Sequence, residues 1–331
     1  MRQVAWAAAL GVAALSLPAG AIELGMPLAC VIGETCVIQN YVDAEPGEGA
    51  KDFECGPLAY DNHQGTDFRL RNRAEVEKGY AALATAPGTV VRAIDGLPDH
   101  GFTGAQDDPL GCGNAVMIDH GAGWVSQYCH LAQGSIRVRQ GQPVAEGTPL
   151  GDVGSSGGTD FPHLHYALRR YGVVVNPFTG VSPTGCDAPV AAPLWKAETG
   201  LAYQPTALVG YGVTGVFPSL DVVKQDHALL TPPVGATAPV YVWLHLLGVR
   251  AGDSARLTVF GPDGRPFANE VFQVEEDRTV YLVNIGLAPS DMGTGQWPPG
   301  EYRARVGFYT DSGEVLREDA LFALPRPQPK T

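Results

Sequence analysis

Phe161-Pro162-His163-Leu164-His165-Tyr166-Ala167-Leu168 is the stretch on which the reading of this chain turns. After Pro162 it holds aromatic and aliphatic residues with no helix breaker, the pattern of a strand. Side chains alternate faces along a strand, so His163 and His165 point the same way. Such a pair suits a metal ion plus one more polar task. Upstream, Asn62-His63-Gln64-Gly65-Thr66-Asp67 sets a His and an Asp around Gly65, a residue that lets the backbone bend. Hydrolytic zinc sites take three protein ligands from His and Asp/Glu and keep a fourth position for water. His63, Asp67 and one of the pair at 163 and 165 make such a set.

Composition frames that reading. The chain has 331 residues, of which 45% are hydrophobic and 17% charged, with 42 Gly and 27 Pro. The length suits about two domains, and the balance suits a loop-rich, all-β (mainly β) globular protein. Arg2, the apolar run from Val4 to Leu17 and the small residues Pro18-Ala19-Gly20-Ala21 form the pattern of an export signal over residues 1–21. The apolar run is short for a membrane span and no later stretch is long enough, so no span is expected after signal removal. Losing Arg2 leaves 21 basic residues against 35 acids, a net charge of −14. That acidity argues against nucleic acid or an anionic membrane as the main partner.

Residues 22–54 are short apolar pieces broken by Gly, Pro and acids and tied by cysteines. Residues 55–187 read as short strands and turns, with only Ala74 to Leu83 hinting at a helix. Residues 188–197, with Pro189 and Pro193, read as a linker. Over 198–331 the pattern changes to successive strands such as Val240–Leu246, Ala255–Phe260 and Tyr302–Phe308, with tight turns at Pro262-Asp263-Gly264 and Asp311-Ser312-Gly313. About seven strands in that length predict an immunoglobulin-like β-sandwich.

Of the remaining histidines, His100 and His227 read as ordinary, His245 as a satisfied core residue and His120 as a structural hydrogen-bonding group. No HExxH is present, so a helical zinc pair with a glutamate base is excluded. Gly154-Ser155-Ser156-Gly157-Gly158-Thr159 fails as a phosphate loop and reads as a flexible surface turn beside the HxH strand.

Over about residues 55–180 the chain resembles the lysostaphin-type, or LytM-domain, zinc metallopeptidases that cut peptides in peptidoglycan. The resemblance rests on His63-Gln64-Gly65-Thr66-Asp67, Ala86-Pro87-Gly88-Thr89-Val90, Gly113–Gly121, Tyr128-Cys129-His130-Leu131, Gly141-Gln142-Pro143-Val144, Gly151-Asp152-Val153-Gly154 and Pro162-His163-Leu164-His165, all in the family's order and spacing. It implies a small antiparallel β-sheet core of the duplicated hybrid motif type, and Zn2+ bound by His63, Asp67 and His165. It implies His130 and His163 as the pair that activates water and stabilises the tetrahedral intermediate. Departures are Ala167, where many relatives carry an acid, the additional Cys112 and Cys129, and a longer loop over 95–112.

Six cysteines in an exported chain read as disulfides, and no CxxC pair supports a metal site. Asn114–Asp119 and Trp124–Leu131 flank Gly121-Ala122-Gly123 as a hairpin. A two-residue turn at His120-Gly121 sets Cys112 opposite Cys129. A turn at Gly121-Ala122 leaves them diagonal unless a bulge near Gly111 or Gly113 intervenes. By elimination Cys30 pairs with Cys36 and Cys55 with Cys186.

The expected function is an exported zinc endopeptidase of the periplasm or cell envelope, acting on peptidoglycan. The alternative is a catalytically silent module of the same type that binds and activates another cell-wall hydrolase. The C-terminal sandwich shows no ligand cluster; it is expected to position or shield the enzyme, or to take a protein partner.

Overall fold

Alternating apolar and polar residues along short segments become strands, as a side-chain period of two requires. The computed structural model describes residues 22–99, 111–159, 161–188, 191–233 and 235–324. The export-signal stretch, His100, the centre of the 95–112 loop and Pro189 lie outside the described residues. The first half holds β1 (Cys36–Asn40), β2 (Thr66–Leu70), β3 (Ala81–Leu83), β4 (Gly88–Ile94), β5 (Asn114–Gly121), β6 (Trp124–Leu131), β7 (Pro143–Val144), β8 (Pro149–Asp152), β9 (His163–Arg170) and β10 (Val173–Val174). One antiparallel sheet runs β1-β2-β9-β6-β5-β4-β7, with β10 paired to the end of β9, while β3 and β8 pair separately.

The helix expected over Ala74–Leu83 does not form. Arg73–Lys78 make a short 3-10 turn that Gly79 closes at φ 70, and Ala81–Leu83 are strand. A left-handed glycine ends a helix before a second turn can add hydrogen bonds.

The inner face of β9 (Leu164, Tyr166, Leu168) packs with Phe68 and Leu70 of β2, Tyr128 of β6, and Val116 and Ile118 of β5. Leu24, Leu28, Tyr41 and Trp195 close the same core. The expected linker is therefore pinned at its end: Leu194 and Trp195 are buried, Leu24 N–H donates to Leu194 O, and Lys196 N–H donates to Leu24 O.

The second half holds β11 (Ala207–Thr214), β12 (Val240–Val249), β13 (Ser254–Phe260), β14 (Pro266–Gln273), β15 (Arg278–Leu287), β16 (Gly300–Thr310) and β17 (Gly313–Leu324), plus one short helix, α1 (Leu220–Gln225). Sheets β11-β12-β15 and β14-β13-β16-β17 share a core of Val242, Leu244, Leu257, Val259, Val306 and Phe308, an all-β sandwich. Helix α1, which the strand-rich pattern hid, starts at Ser219, whose hydroxyl accepts from Val222 N–H. The two halves are packed together. Ala207, Val209 and Leu247 enter the first core, Arg71 Nη1 donates to Val209 O at 2.7 Å, and Thr279 Oγ1 donates to Pro57 O at 2.8 Å. Among the described residues no helix is long and apolar enough to cross a membrane.

Cystine bonds join Cys30 to Cys36, Cys55 to Cys186 and Cys112 to Cys129. The β5–β6 register is neither of the two anticipated. Gly121 faces Trp124 across Ala122-Gly123, both left-handed at φ 49 and 79. Two left-handed residues make the turn that matches strand twist, which moves the pairing past both candidate turns. Cys112 then lies before β5, and Gly113, at φ 65, turns the chain so that the Cys112 and Cys129 Cα atoms come within 4.8 Å.

Candidate metal centre

The outer face of β9 carries His163, His165, Ala167 and Arg169. Register sets His165 between Asp67 of β2 and Cys129 of β6, and His163 beside Arg69. His63 arrives from the turn before β2, where Asn62 takes the left-handed conformation at φ 62. Gly65 has a different role from the bend anticipated: a Cβ there would sit 2.6 Å from the His165 ring and from Tyr166 O. Only a residue without a side chain lets the His63 turn lie against β9.

His63 Nε2, Asp67 Oδ1 and His165 Nδ1 converge. Asp67 Oδ1 lies 3.1 Å from His63 Nε2 and 2.9 Å from His165 Nδ1, and the two nitrogens are 3.1 Å apart. The chemistry of the donor set fits a cation. His63 Nδ1 is 2.6 Å from Tyr41 O, so that nitrogen donates and the lone pair of Nε2 faces the Asp67 carboxylate. In neutral His63 no proton lies between these two acceptors, and a cation held there would remove the conflict. Asp67 Oδ2 is held from behind by Asn40 Nδ2 at 2.9 Å. These are outer-shell contacts of the kind that orient zinc ligands.

Two more imidazoles flank the trio. His130, next to last in β6, takes φ 61, unusual for a non-glycine residue. Strand alternation that puts Cys129 on the outer face would turn His130 inward; the left-handed backbone breaks the alternation and brings its ring within 4.7 Å of His163. His130 Nδ1 donates to Ser156 O at 2.8 Å, and His163 Nδ1 donates to Phe161 O at 2.8 Å with Thr159 Oγ1 at 3.1 Å. Their Nε2 atoms are thereby the lone-pair ends, and His163 Nε2 is 3.4 Å from Asp67 Oδ1. Burial pushes the His130 imidazole well below its usual pKa, with His163 and His165 adding to the effect. Burial lowers His165 against the pull of Asp67. Burial alone would raise Asp67, but the His63 and His163 imidazoles beside it hold the carboxyl well below the usual range. Near neutral pH the site therefore holds a carboxylate, with neutral imidazoles at His130 and His165, the protonation state ligands and bases need.

Several contributors escaped sequence reasoning. The 154–159 run is a buried scaffold rather than a surface turn: Ser156 Oγ accepts from Asn114 N–H and donates to Leu131 O while its carbonyl holds His130. Tyr60 packs against His63, its ring tilted by 32° with centroids 4.4 Å apart. Asn40 and Tyr41 come from a segment with no pattern to mark them; the polar content of 154–159 was the one available signal. His120 bonds Pro87 O and Ser126 Oγ, a structural role.

Residues 61–177 match Peptidase family M23. The chain is 41% identical over 107 residues to the DD-carboxypeptidase/endopeptidase Mpg of Neisseria meningitidis, 30% of this chain and 22% of that protein. It is 38% identical over 127 residues to the peptidoglycan DD-endopeptidase ShyA of Vibrio cholerae, 38% of this chain and 25% of that protein. It is 36% identical over 95 residues to the murein hydrolase activator EnvC of Escherichia coli, 29% of this chain and 21% of that protein. The chain thus spans about a quarter or less of the length of these relatives. The catalytic domain of lysostaphin from Staphylococcus simulans is 24% identical over 40% of this chain and 86% of that one, with a TM-score of 0.28. The segment that carries the histidine-aspartate cluster is a LytM-type domain of Peptidase family M23.

Proposed function

We propose that residues 55–187 form a zinc metalloendopeptidase, exported to the periplasm or cell envelope, that hydrolyses peptide bonds in peptidoglycan stem or cross-link peptides. The observation that carries this reading is the completeness of the cluster: three convergent ligand atoms with two carbonyl-locked imidazoles beside them. His63, Asp67 and His165 would hold Zn2+, which would supply a Lewis acid for water and the substrate carbonyl. His130 and His163 carry the proton chemistry. Each keeps Nδ1 on a carbonyl and presents Nε2, so one takes the proton that the attacking water loses. The other would carry a proton on Nε2 when it faces the oxygen on which negative charge develops. Burial that keeps His130 neutral prepares it to accept a proton and then release it to the departing amine. The sandwich, residues 198–331, supplies packing to this unit and a surface for a wall or protein partner.

A second reading has support in the likeness to EnvC, named a murein hydrolase activator. In it the module binds and switches on another hydrolase without cutting. Incubating the metal-loaded protein with intact sacculi, with and without a chelator, separates the two. Chelator-sensitive release of muropeptides identified by mass is the expected result. Release only when a second hydrolase is added would overturn the endopeptidase reading.

A further inference from the structure

The outer face of β9 carries one more charged group. His163, His165, Ala167 and Arg169 alternate onto that face, and Arg169 is half-buried there. Its Nη2 donates to Gln64 Oε1 at 2.8 Å, on the residue next to His63, and its Nη1 donates to Gln127 Oε1 at 2.9 Å on β6. The Gln127 amide nitrogen lies 3.0 and 3.3 Å from the two sulfurs of the Cys112–Cys129 disulfide. The guanidinium is thus suspended between the turn that bears His63 and the strand that bears His130. Ala167, directly opposite Gln127 in the ladder, presents only a methyl group there.

Both partners of this guanidinium are neutral. Among the described residues no carboxylate lies in salt-bridge range of Arg169, whereas Arg137, Arg305 and Arg317 each have one. Burial with no opposing acid lowers its pKa, yet it stays charged at neutral pH. Five N–H donors in a planar fork are available, and the two glutamines engage one nitrogen each. A partly desolvated cation without a counter-ion is unfavourable, and a carboxylate entering the groove relieves it.

We propose that Arg169 is a specificity-determining residue that binds a carboxylate of the peptide substrate, selecting peptides with a free carboxyl a few residues from the bond that is cut. The inference rests on the endopeptidase reading for its substrate class. Four residues of strand separate Arg169 from His165, about 13 Å at strand rise, and an extended peptide covers that in about four residues.

The test uses a cross-linked stem peptide with its terminal carboxyl free and the same peptide as a carboxamide. The full chain, Arg169→Gln, Arg169→Lys, Ala167→Glu and the distant exposed Arg139→Gln are compared. The unaltered protein and Arg139→Gln should prefer the free acid by about tenfold or more in kcat/KM, mainly through KM. Arg169→Gln should erase the preference by lowering use of the free acid far more than use of the carboxamide, and Arg169→Lys should restore part of it. Ala167→Glu, which sets an acid beside the guanidinium, should lower use of the free acid selectively. Equal loss on both peptides in Arg169→Gln overturns the proposal and leaves Arg169 as a clamp on Gln64 and Gln127. Calorimetric binding of both peptides to chelated protein reads the same preference without turnover. If no peptide is cut by any form, the endopeptidase reading fails, and acid-selective binding that needs Arg169 still upholds the carboxylate site. Absence of acid-selective binding overturns it.

Discussion

Two regions of this molecule bury histidines on strands, and they do so in opposite ways. On the sheet of the first half, His63, His130 and His163 each set Nδ1 on a backbone carbonyl, those of Tyr41, Ser156 and Phe161. On β12 of the sandwich, His245 is fully buried and neither ring nitrogen has a hydrogen-bond partner among the described residues. A carbonyl on one nitrogen fixes the tautomer and aims the other lone pair; burial alone only keeps the ring neutral. The sequence expectation of a satisfied core histidine at 245 is corrected accordingly: the packing is present and the partner is not.

The contrast is broken most forcefully by removing ligands. Asp67→Ala and His165→Ala should take bound zinc from about one per chain to none and lower peptide hydrolysis by at least about a thousandfold. His245→Leu should leave metal content and turnover within about twofold. Metal analysis of these three purified variants and of His163→Ala is the check, and a zinc-loaded His165→Ala with an empty His163→Ala would exchange the roles of that pair.

A smaller effect is expected one layer out. Asn40→Ala removes the donor behind Asp67 Oδ2. Loss of such an outer-shell contact should weaken zinc binding or activity by about 10- to 100-fold, read by competition with a chromophoric chelator. An unchanged zinc affinity would mean that Asp67 is positioned by β2 alone.

The legible part of the site was the part written in short-range pattern. Two histidines two apart on a strand share a face by geometry, and the His63–Asp67 motif stands beside the turn that folds it back. What stayed hidden is supplied by distant or irregular backbone. Asn40 and Tyr41 act through strand β1, whose pairing with β2 no local pattern announces. The left-handed His130 reverses its side chain in a way that alternation cannot foresee. The end of the expected linker shows the same limit: a Pro-rich composition describes backbone freedom, while Leu194 and Trp195 are fixed by Leu24, far back in the chain. The all-β class, in contrast, follows from strand-length alternation in both halves.

Ser156→Ala sharpens the comparison on the scaffold side. The hydroxyl bridges Asn114 N–H and Leu131 O in a fully buried position. Its loss strands the buried Asn114 N–H, while Leu131 O keeps its bond from Asn114 Nδ2, and should cost about 1–3 kcal/mol of stability, with a loss of turnover as the His130 anchor loosens. Thermal unfolding beside a kinetic assay measures both; reduced stability with unchanged kcat would separate the scaffold from the chemistry.

The smallest effect belongs to His245 and concerns pH. Burial drives its pKa down to about 2, and Arg69, His227 and Lys224 act in the same direction. An unfolded chain returns the imidazole to about 6.5, so below that pH the unfolded state holds a proton that the folded state does not. Stability should therefore be unaffected by this group above pH 6.5 and should fall as pH drops beneath it, by about 2 kcal/mol between pH 6.5 and 5. His130 and His165 contribute with the same sign, which is why the difference between two proteins is the informative quantity. His245→Leu retains most of the volume, removes the titration and should show a correspondingly shallower decline in denaturant midpoint over that interval. Parallel pH profiles for the two proteins would mean that β12 opens to let the ring protonate without global unfolding. The partnerless histidine would then be a local weak point of the sandwich rather than a penalty on the whole fold.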